Sequence, residues 1–375
     1  ILAIANVCSA LDFEAQEVAQ PNFVIILTDD QSWVGSSAEM VPGQSITRSN
    51  FFETPNIERL AELGLRFSRG YSPAPFCCPT RRSLVIGQTP ARHMYQRDQK
   101  GWSKKFRAQL SIPRVLKAAN PKYQTAHFGK WDSRFDQVTP EEMGYDISDG
   151  LTGNATGGGK GSGGPAPSKD PKSIFDLTTR TCEFIERQSK TGNPFFVQIS
   201  HYAVHLDIFY RRGSYEEAAA KIRDRRHTVP EFAAMTSDMD SGIGMLIDKI
   251  ESLGILDNTY IFFLSDNGGR ETIPGDQNSQ PRNHPLRDGK GSMYEGGLRV
   301  PFIVCGPQVK PNTHSNIPVT GLDLLPTIAD LANYGGPLPA ALDGGSLVPV
   351  FNDPAQGRVQ RNQPFLLFHQ AVNRK

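Results

Sequence analysis

FVIILTDD, residues 23–30, opens with six apolar or β-branched residues and closes on two adjacent aspartates. A short apolar run without polar alternation predicts a strand buried on both faces, as in a parallel sheet. Four further runs have the same character, namely YQTAHF (123–128), FFVQIS (195–200), YIFFLS (260–265) and PFIVCG (301–306). We predict that all five are buried parallel strands.

Helical patterns lie between these runs. Residues 54–64 begin with Thr-Pro, carry apolar residues at helical spacing and stop at a glycine, which predicts one helix. A second helix is predicted over the apolar positions between 232 and 253. Strands that alternate with helices predict an α/β fold, a doubly wound and mostly parallel sheet flanked by helices.

The amino-acid composition indicates one large domain and argues against nucleic-acid and membrane partners. The chain has 375 residues, of which 38% are hydrophobic and 21% charged, so one large domain with its own core is expected. Lys and Arg number 40 against 39 Asp and Glu, so no overall field attracts nucleic acid or an anionic membrane. No segment approaches the ~20 apolar residues of a membrane span. We expect neither a nucleic-acid partner nor an integral membrane segment.

Polar side chains follow four of the predicted strands at the point where each ends. They are Asp29 and Asp30, Lys130, His201 and His205, and Asp266 and Asn267. An aspartate pair at a strand end is more often a turn former than a metal ligand, but a second acidic and amide pair favours a ligand site at the carboxyl edge of the sheet. Carboxylate and amide oxygens suit calcium or magnesium rather than zinc or copper.

The stretch FCCPTRRSLVIG, residues 76–87, fits the pattern C-x-P-x-R followed by Leu and Gly. The register selects Cys77, because Pro79 and Arg81 lie two and four positions further on. Pro79 suits the first turn of a helix and would place residue 77 at its amino end, where free N–H groups favour an anion. Cys78 is predicted to be a small buried hydrophobe. Five scattered cysteines without a CxxC pair indicate neither a disulfide framework nor structural zinc.

From Pro21 onward the chain resembles the formylglycine-dependent sulfatases of the alkaline phosphatase superfamily. The segments that carry the resemblance are VIILTDDQ, the 76–87 motif, HFGKW, FFVQISHYAVH, FLSDNGG and PLRDGKGSMYEGGLRVPFIV. The resemblance implies an alkaline phosphatase-like fold and hydrolysis of a sulfate monoester. It also implies that a formylglycine-generating enzyme oxidises Cys77 to the aldehyde whose hydrate is the nucleophile.

The resemblance further implies roles for individual residues. A divalent metal, Ca²⁺ in the first place and Mg²⁺ as the alternative, would be held by Asp29, Asp30, Cys77, Asp266 and Asn267. Lys130 and Lys290 would contact the sulfate, and His205 would protonate the departing alcohol. Arg81, one turn beyond Cys77, is predicted to orient the hydrated aldehyde.

One position departs from the family. Asp132 stands in GKWD where such sulfatases commonly have GKWH, and we predict that its carboxylate replaces the histidine as a base. His201 is either a substitute base or a structural residue. His201 and His284 are also predicted to contact substrate, and three neighbouring arginines are candidates for contact with a sugar or a second sulfate, namely Arg134, Arg270 and Arg282.

The predicted boundaries are a partial signal peptide at 1–20, a catalytic domain at 21–350 and the start of an incomplete antiparallel subdomain at 351–375. ILAIANVCSA (1–10) has the apolar run and small residues of a secretory leader, with a buried strand as the alternative, so a secreted or periplasmic protein is expected. The glycine-rich segment 153–167 is predicted to be an exposed loop.

Two other functions stay open. A phosphonate or phosphate diester hydrolase would use the same formylglycine and metal, and a catalytically inactive protein could bind a sulfated glycan in the same pocket. Asp132 and the short carboxyl end motivate the inactive binder, whereas the intact motif at Cys77 favours an enzyme. A sulfated polysaccharide is the expected substrate by analogy with the family.

Overall fold

A computed structural model of the chain describes residues 20–94, 101–132, 136–158 and 165–370. The predicted leader therefore lies outside the described residues except for Gln20, and Arg134 lies outside them as well. Within the described ranges, no helix combines the length and the apolar character that crossing a bilayer requires.

The strands in chain order are β1 (Asn22–Thr28), β2 (Leu65–Phe67), β3 (Gly70–Tyr71), β4 (Gln124–Gly129), β5 (Ile147–Ser148), β6 (Ala166–Pro167), β7 (Phe195–Ser200), β8 (Phe209–Tyr210), β9 (Thr259–Ser265), β10 (Phe302–Cys305), β11 (Thr313–Ser315) and β12 (Val319–Thr320). Eight of them form one sheet in the order β11-β2-β10-β9-β1-β7-β4-β5. The central strands β9, β1, β7 and β4 are parallel to one another. The predicted strands are thus confirmed, and so is the mostly parallel sheet.

The parallel direction predicted for residues 301–306 is wrong. β10 runs antiparallel to β9, with Phe302 opposite Leu264 and Cys305 opposite Ile261. β10 therefore begins at the edge of the sheet where β9 ends and runs in the opposite direction. The segment 266–301 joins the two strands at that edge. An apolar strand pattern carries no information on direction.

The helices are α1 (Pro55–Leu63), α2 (Cys77–Ile86), α3 (Pro90–His93), α4 (Trp102–Arg107), α5 (Ile112–Ala119), α6 (Ile174–Thr191), α7 (Arg212–Ala219), α8 (Pro230–Ser252), α9 (Glu295–Leu298), α10 (Leu324–Leu331) and α11 (Val348–Asn352). The helices predicted at 54–64 and 232–253 are therefore confirmed. Helices cover both faces of the sheet: α1, α6 and α8 pack on one, and α2, α5 and α10 on the other. Alternate residues of β1 enter the two cores, which is why that strand is apolar throughout.

The glycine-rich segment is less exposed than predicted. Gly157 is buried, and a Cβ there would lie 2.3 Å from the Tyr202 ring, so the first part of the segment packs against the loop that follows β7. Residues 159–164 lie outside the described residues. Beyond Asn352 the chain continues to residue 370 without helix or strand, and Arg361 pairs with Asp323 at 2.6 Å.

Candidate active site

Two pairs of polar residues meet at the carboxyl edge of the sheet. Because β1 and β9 are parallel with Thr28 opposite Ser265, the residues that follow them emerge side by side. The Asn267 Nδ2 donates to Asp30 Oδ1 at 2.8 Å, and the Asp30 backbone N–H donates to Asp266 Oδ1 at 3.2 Å. The structure thus brings together residues that lie more than 230 positions apart.

Cys77 opens helix α2 beside this cluster. Phe76 precedes the helix in extended conformation and Pro79 lies in the first turn, which confirms the predicted helix start. Lys290 approaches from the loop between β9 and β10, and its Nζ lies 3.7 Å from Cys77 Sγ. A backbone bond from Gly291 N–H to the Pro75 carbonyl, 3.0 Å long, joins that loop to the start of α2.

Arg81 ties α2 to two strand ends. Its Nε and Nη2 donate to Asp266 Oδ2 at 3.0 and 2.7 Å, and its Nη1 donates to the Lys130 carbonyl at 2.7 Å. The side chain is buried, so these charge-assisted bonds are strong. The guanidinium therefore orders the surroundings of residue 77, and its predicted contact with a modified residue 77 stays a prediction.

Each carboxylate of the cluster has a cation partner. Lys130 Nζ lies 2.5 Å from Asp29 Oδ2, Lys290 Nζ lies 2.5 Å from Asp30 Oδ1, and Arg81 pairs with Asp266. Burial disfavours the charge on Asp29, but Lys130 and the neighbouring cations outweigh it and hold its pKa well below the usual range. Burial and the negative charge of Asp29 raise the pKa of Asp266 to about 7.

Three oxygens of the cluster point to a metal ion. Asp29 Oδ1, Asp30 Oδ2 and Asn267 Oδ1 are buried and accept no hydrogen bond, and an unsatisfied buried acceptor typically costs about 1–3 kcal/mol. Ligand atoms of Asp29, Cys77 and Asp266 lie within 4.8 Å of one another, and so do those of Asp29, Asp30 and His205. Carboxylate and amide oxygens without a hydrogen-bond donor are suitable ligands for a divalent cation such as calcium or magnesium.

His205 lies at the rim of the cluster with one ring nitrogen directed inward. Its Nδ1 lies 2.5 Å from the Leu206 carbonyl, so we place the ring hydrogen on Nδ1. Its Nε2 then faces the site as an acceptor, 3.4 Å from the donor Asn154 Nδ2 and 3.7 Å from Asp30 Oδ2. Burial lowers the pKa of His205, against the opposing effect of Asp29 and Asp30.

Asp132 and Cys78 form a pair that the sequence analysis missed. Asp132 adopts a left-handed backbone (φ 57°), and its Oδ2 accepts a hydrogen bond from the Cys78 thiol at 3.0 Å. The same oxygen lies 3.9 Å from Lys130 Nζ. Cys78 is buried, as predicted. Its thiol also donates a hydrogen bond, which the prediction of a small buried hydrophobe did not include.

The remaining predicted residues lie in different surroundings. His201 is buried with no hydrogen bond to its Nδ1, and burial lowers its pKa to about 4. His284 lines a surface groove of about 500 Å³ together with Arg225. Arg270 lines a small cavity beside Asp30. Arg282 pairs with Asp276 at 2.9 Å and lies over the Phe232 ring.

Two residues near the site carried no sequence signal. Asn154 comes from the glycine-rich segment, contacts His205 and has a buried Oδ1 without a hydrogen-bond partner. Lys172 is buried although lysine is almost always solvated. A polar residue in a loop and a lysine in a charged segment are both ordinary surface features, so only the folded structure singles them out.

Known proteins resemble this chain over most of its length. The sulfatase family model matches residues 21–334. A sulfatase of Formosa agariphila is 29% identical over 93% of this chain and 75% of its own length. The N-acetylgalactosamine-6-sulfatase of Mus musculus is 26% identical over 92% of this chain and 69% of its own length. The crystal structure of Ps i-CgsB in complex with k-i-k-neocarrahexaose is 25% identical, with a TM-score of 0.71 over 90% of this chain and 77% of that one.

Proposed function

Since the chain belongs to the sulfatase family and is a sulfuric ester hydrolase, we propose that it cleaves the sulfate monoester of a carbohydrate with a formylglycine at position 77 and a divalent metal. The observation that carries this proposal is Cys77 at the amino end of α2, beside buried oxygens that lack partners. Residues 21–350 would form the catalytic domain, which contains the whole family match.

The names of two similar proteins support a carbohydrate substrate. One relative is an N-acetylgalactosamine-6-sulfatase, and one similar structure was solved with a neocarrahexaose. We also propose export from the cytoplasm, on the leader-like run ILAIANVCSA alone.

A weakly ionised thiol at position 77 supports the proposal of a modified residue there. Burial raises the pKa of the Cys77 thiol to about 11, although Lys130 and Lys290 oppose the shift, so the reactive thiolate is scarce at neutral pH. Oxidation of Cys77 by a formylglycine-generating enzyme would supply an aldehyde whose hydrate offers a hydroxyl for attack on sulfur. The register of Pro79 and Arg81 favours position 77 over position 78.

The metal would be held by the four residues at the ends of β1 and β9, which are Asp29, Asp30, Asp266 and Asn267. When bound, a divalent ion supplies Lewis-acid polarisation of the sulfate oxygens, and Ca²⁺ is our first assignment with Mg²⁺ as the alternative. Three carboxylates are already matched by three cations. The pocket would therefore be positive with the metal in place, which favours a sulfate ester.

Lys130, Lys290 and His205 would act on the substrate itself. Two distances support contact of the lysines with sulfate oxygens. Lys290 Nζ is 3.7 Å from Cys77 Sγ, and Lys130 Nζ is 2.5 Å from Asp29 Oδ2. In its protonated form, with a hydrogen on each ring nitrogen, His205 would donate the Nε2 proton to the departing alcohol. The Leu206 carbonyl accepts from Nδ1–H and holds the ring in that orientation.

Asp132 is our candidate for the base that takes the proton residue 77 must lose. Its carboxylate is buried within 3.9 Å of Lys130 and bonds the residue next to Cys77. His201 is the weaker candidate, because burial lowers its pKa to about 4 and makes the ring a poor base.

Mass spectrometry of the peptide that contains residue 77 tests the proposal. Protein from a host with a formylglycine-generating enzyme should carry formylglycine or its hydrate at 77 and an unmodified cysteine at 78. Cys77→Ala should release no sulfate from 4-nitrophenyl sulfate or sulfated saccharides. Cys78→Ala, the matched control, should still carry the modification at 77. Fully active protein with an unmodified Cys77 would refute the mechanism.

A further inference from the structure

Lys172 is a charged group that the reaction described above leaves unused. Its side chain is only 3% exposed, and it forms no hydrogen bond or ion pair with any residue that the structure describes. Its Nζ lies 5.2 Å from the centroid of the Phe209 ring, a cation–π contact that gains strength when the cation is desolvated. Burial of an ammonium is unfavourable, and the carboxylates of Asp29 and Asp207 offset only part of that cost.

The backbone around Lys172 is held in an unfavourable conformation too. Lys172 and Ser173 adopt left-handed φ angles of 56° and 54°, which non-glycine residues rarely do outside functional sites. The segment is anchored on both sides: Ser168 N–H donates to the Tyr210 carbonyl at 2.8 Å, and Phe175 N–H donates to Asp170 Oδ1 at 2.9 Å. These bonds fix the backbone on both sides of Lys172.

Lys172 lies close enough to the site to interact electrostatically with Asp29, Asp30 and Lys130. Its contact residue Phe209 follows His205 by four positions, and β8 pairs with β6 just before Lys172 in the chain. A Cβ at Gly158 would lie 3.4 Å from the Phe209 ring, so the loop that carries Asn154 packs on the same ring. Burial lowers the pKa of Lys172 to about 8, although Asp29 and Asp207 favour the charged form.

Lys172 has no ion-pair partner among the residues that the structure describes, and the more distant Asp29 and Asp207 offset only part of the cost of its burial. The carboxylates of the proposed metal cluster already pair with Lys130, Lys290 and Arg81. An anion in direct contact with the Lys172 ammonium would therefore come with the substrate. Resting on the sulfatase function proposed above, we propose that Lys172 binds a second anionic substituent, a sulfate or a carboxylate, on the sugar that bears the scissile sulfate.

Matched substrates and variants test this assignment. Sulfate release is measured for a singly sulfated sugar, for the same sugar with a second sulfate, and for a uronic acid with one sulfate. The wild type should favour at least one doubly anionic sugar, and Lys172→Met should lose about 10- to 100-fold more kcat/KM on that sugar than on the singly sulfated one, mainly through KM. Lys172→Arg should retain part of the preference. Lys122→Met removes the same charge at the opposite edge of the sheet and should keep the full preference.

The variant's stability separates recognition from a structural role. Because Lys172→Met removes a buried charge that forms no ion pair within the described part of the chain, its thermal midpoint should match or exceed that of the wild type. Equal losses on singly and doubly anionic sugars, a lowered midpoint in the Met variant, or a wild type without preference would each overturn the assignment. Wild-type sulfate release from the singly sulfated sugar reports on the proposed function by itself, so the two failures are distinguishable.

Discussion

Removal of the metal should destabilise the fold as well as stop turnover, because three buried oxygens at the site have no hydrogen-bond donor among the described residues. They are Asp29 Oδ1, Asp30 Oδ2 and Asn267 Oδ1. At about 1–3 kcal/mol for each unsatisfied acceptor, their combined cost is about 3–9 kcal/mol. An ion present at a thousand times its Kd stabilises the folded state by about 4 kcal/mol, which falls within that range.

That free energy corresponds to a measurable shift of the thermal midpoint. The chain has 375 residues, and at about 2.1 cal/mol/K per residue its unfolding entropy is about 0.8 kcal/mol/K. A loss of about 4 kcal/mol should therefore lower the midpoint by about 5 °C. Scanning calorimetry with a chelator, followed by addition of Ca²⁺ or Mg²⁺, measures the loss and the recovery and shows which ion restores more stability.

A matched pair of substitutions assigns the effect to the site. Asp30→Asn removes a charge from the proposed ligand set and should lower metal content and shrink the chelation shift. Asp240→Asn makes the same chemical change at another buried carboxylate, which accepts hydrogen bonds from the backbone N–H groups of Asn56 and Ile57 at the start of α1. This control should keep its metal. Full metal content in Asp30→Asn, or an unchanged midpoint after the wild type has lost its metal, would refute the reasoning.

Three further predictions concern single residues. His205→Ala should lower kcat/KM on sugar sulfates by about 10²- to 10⁴-fold and on aryl sulfates much less, since a phenolate leaves without a proton; equal losses would contradict its role as the acid. Asp132→Asn should slow turnover while Asp132→His restores it, because only the imidazole brings back a basic nitrogen; wild-type rates in Asp132→Asn would end the assignment of Asp132 as base. The pKa of His201 is about 4 in the fold against 6.5 ordinarily, so its neutral ring contributes stability above pH 6.5 that is lost as pH falls toward 4. Between pH 7 and pH 4, the free energy of unfolding measured in urea should therefore fall by roughly 3 kcal/mol less in His201→Gln than in the wild type. Parallel pH profiles of the two proteins would contradict the depressed pKa.

Local patterns in the sequence determined the elements and the candidate chemistry. Each central strand was readable because burial on both faces favours apolar residues at most positions, and α1 because it begins with a proline and ends at a glycine. The stretch at 76–87 predicted a helix that starts at Cys77, and the polar residues after β1 and β9 predicted a shared edge. All of these features depend on neighbours within a few positions, so the printed sequence contains them.

Only the tertiary structure decided which distant groups face each other. The direction of β10, the bond between Cys78 and Asp132, and the contact of Asn154 with His205 each join segments many positions apart. The apolar pattern of a strand reports that it is buried but not which neighbour it pairs with or in which direction, and a polar residue in a loop looks the same whether it faces solvent or a histidine. Lys172 is the clearest case, because its burial results from the pairing of β6 with β8 and the packing of Phe209, neither of which leaves a periodic signal in the chain.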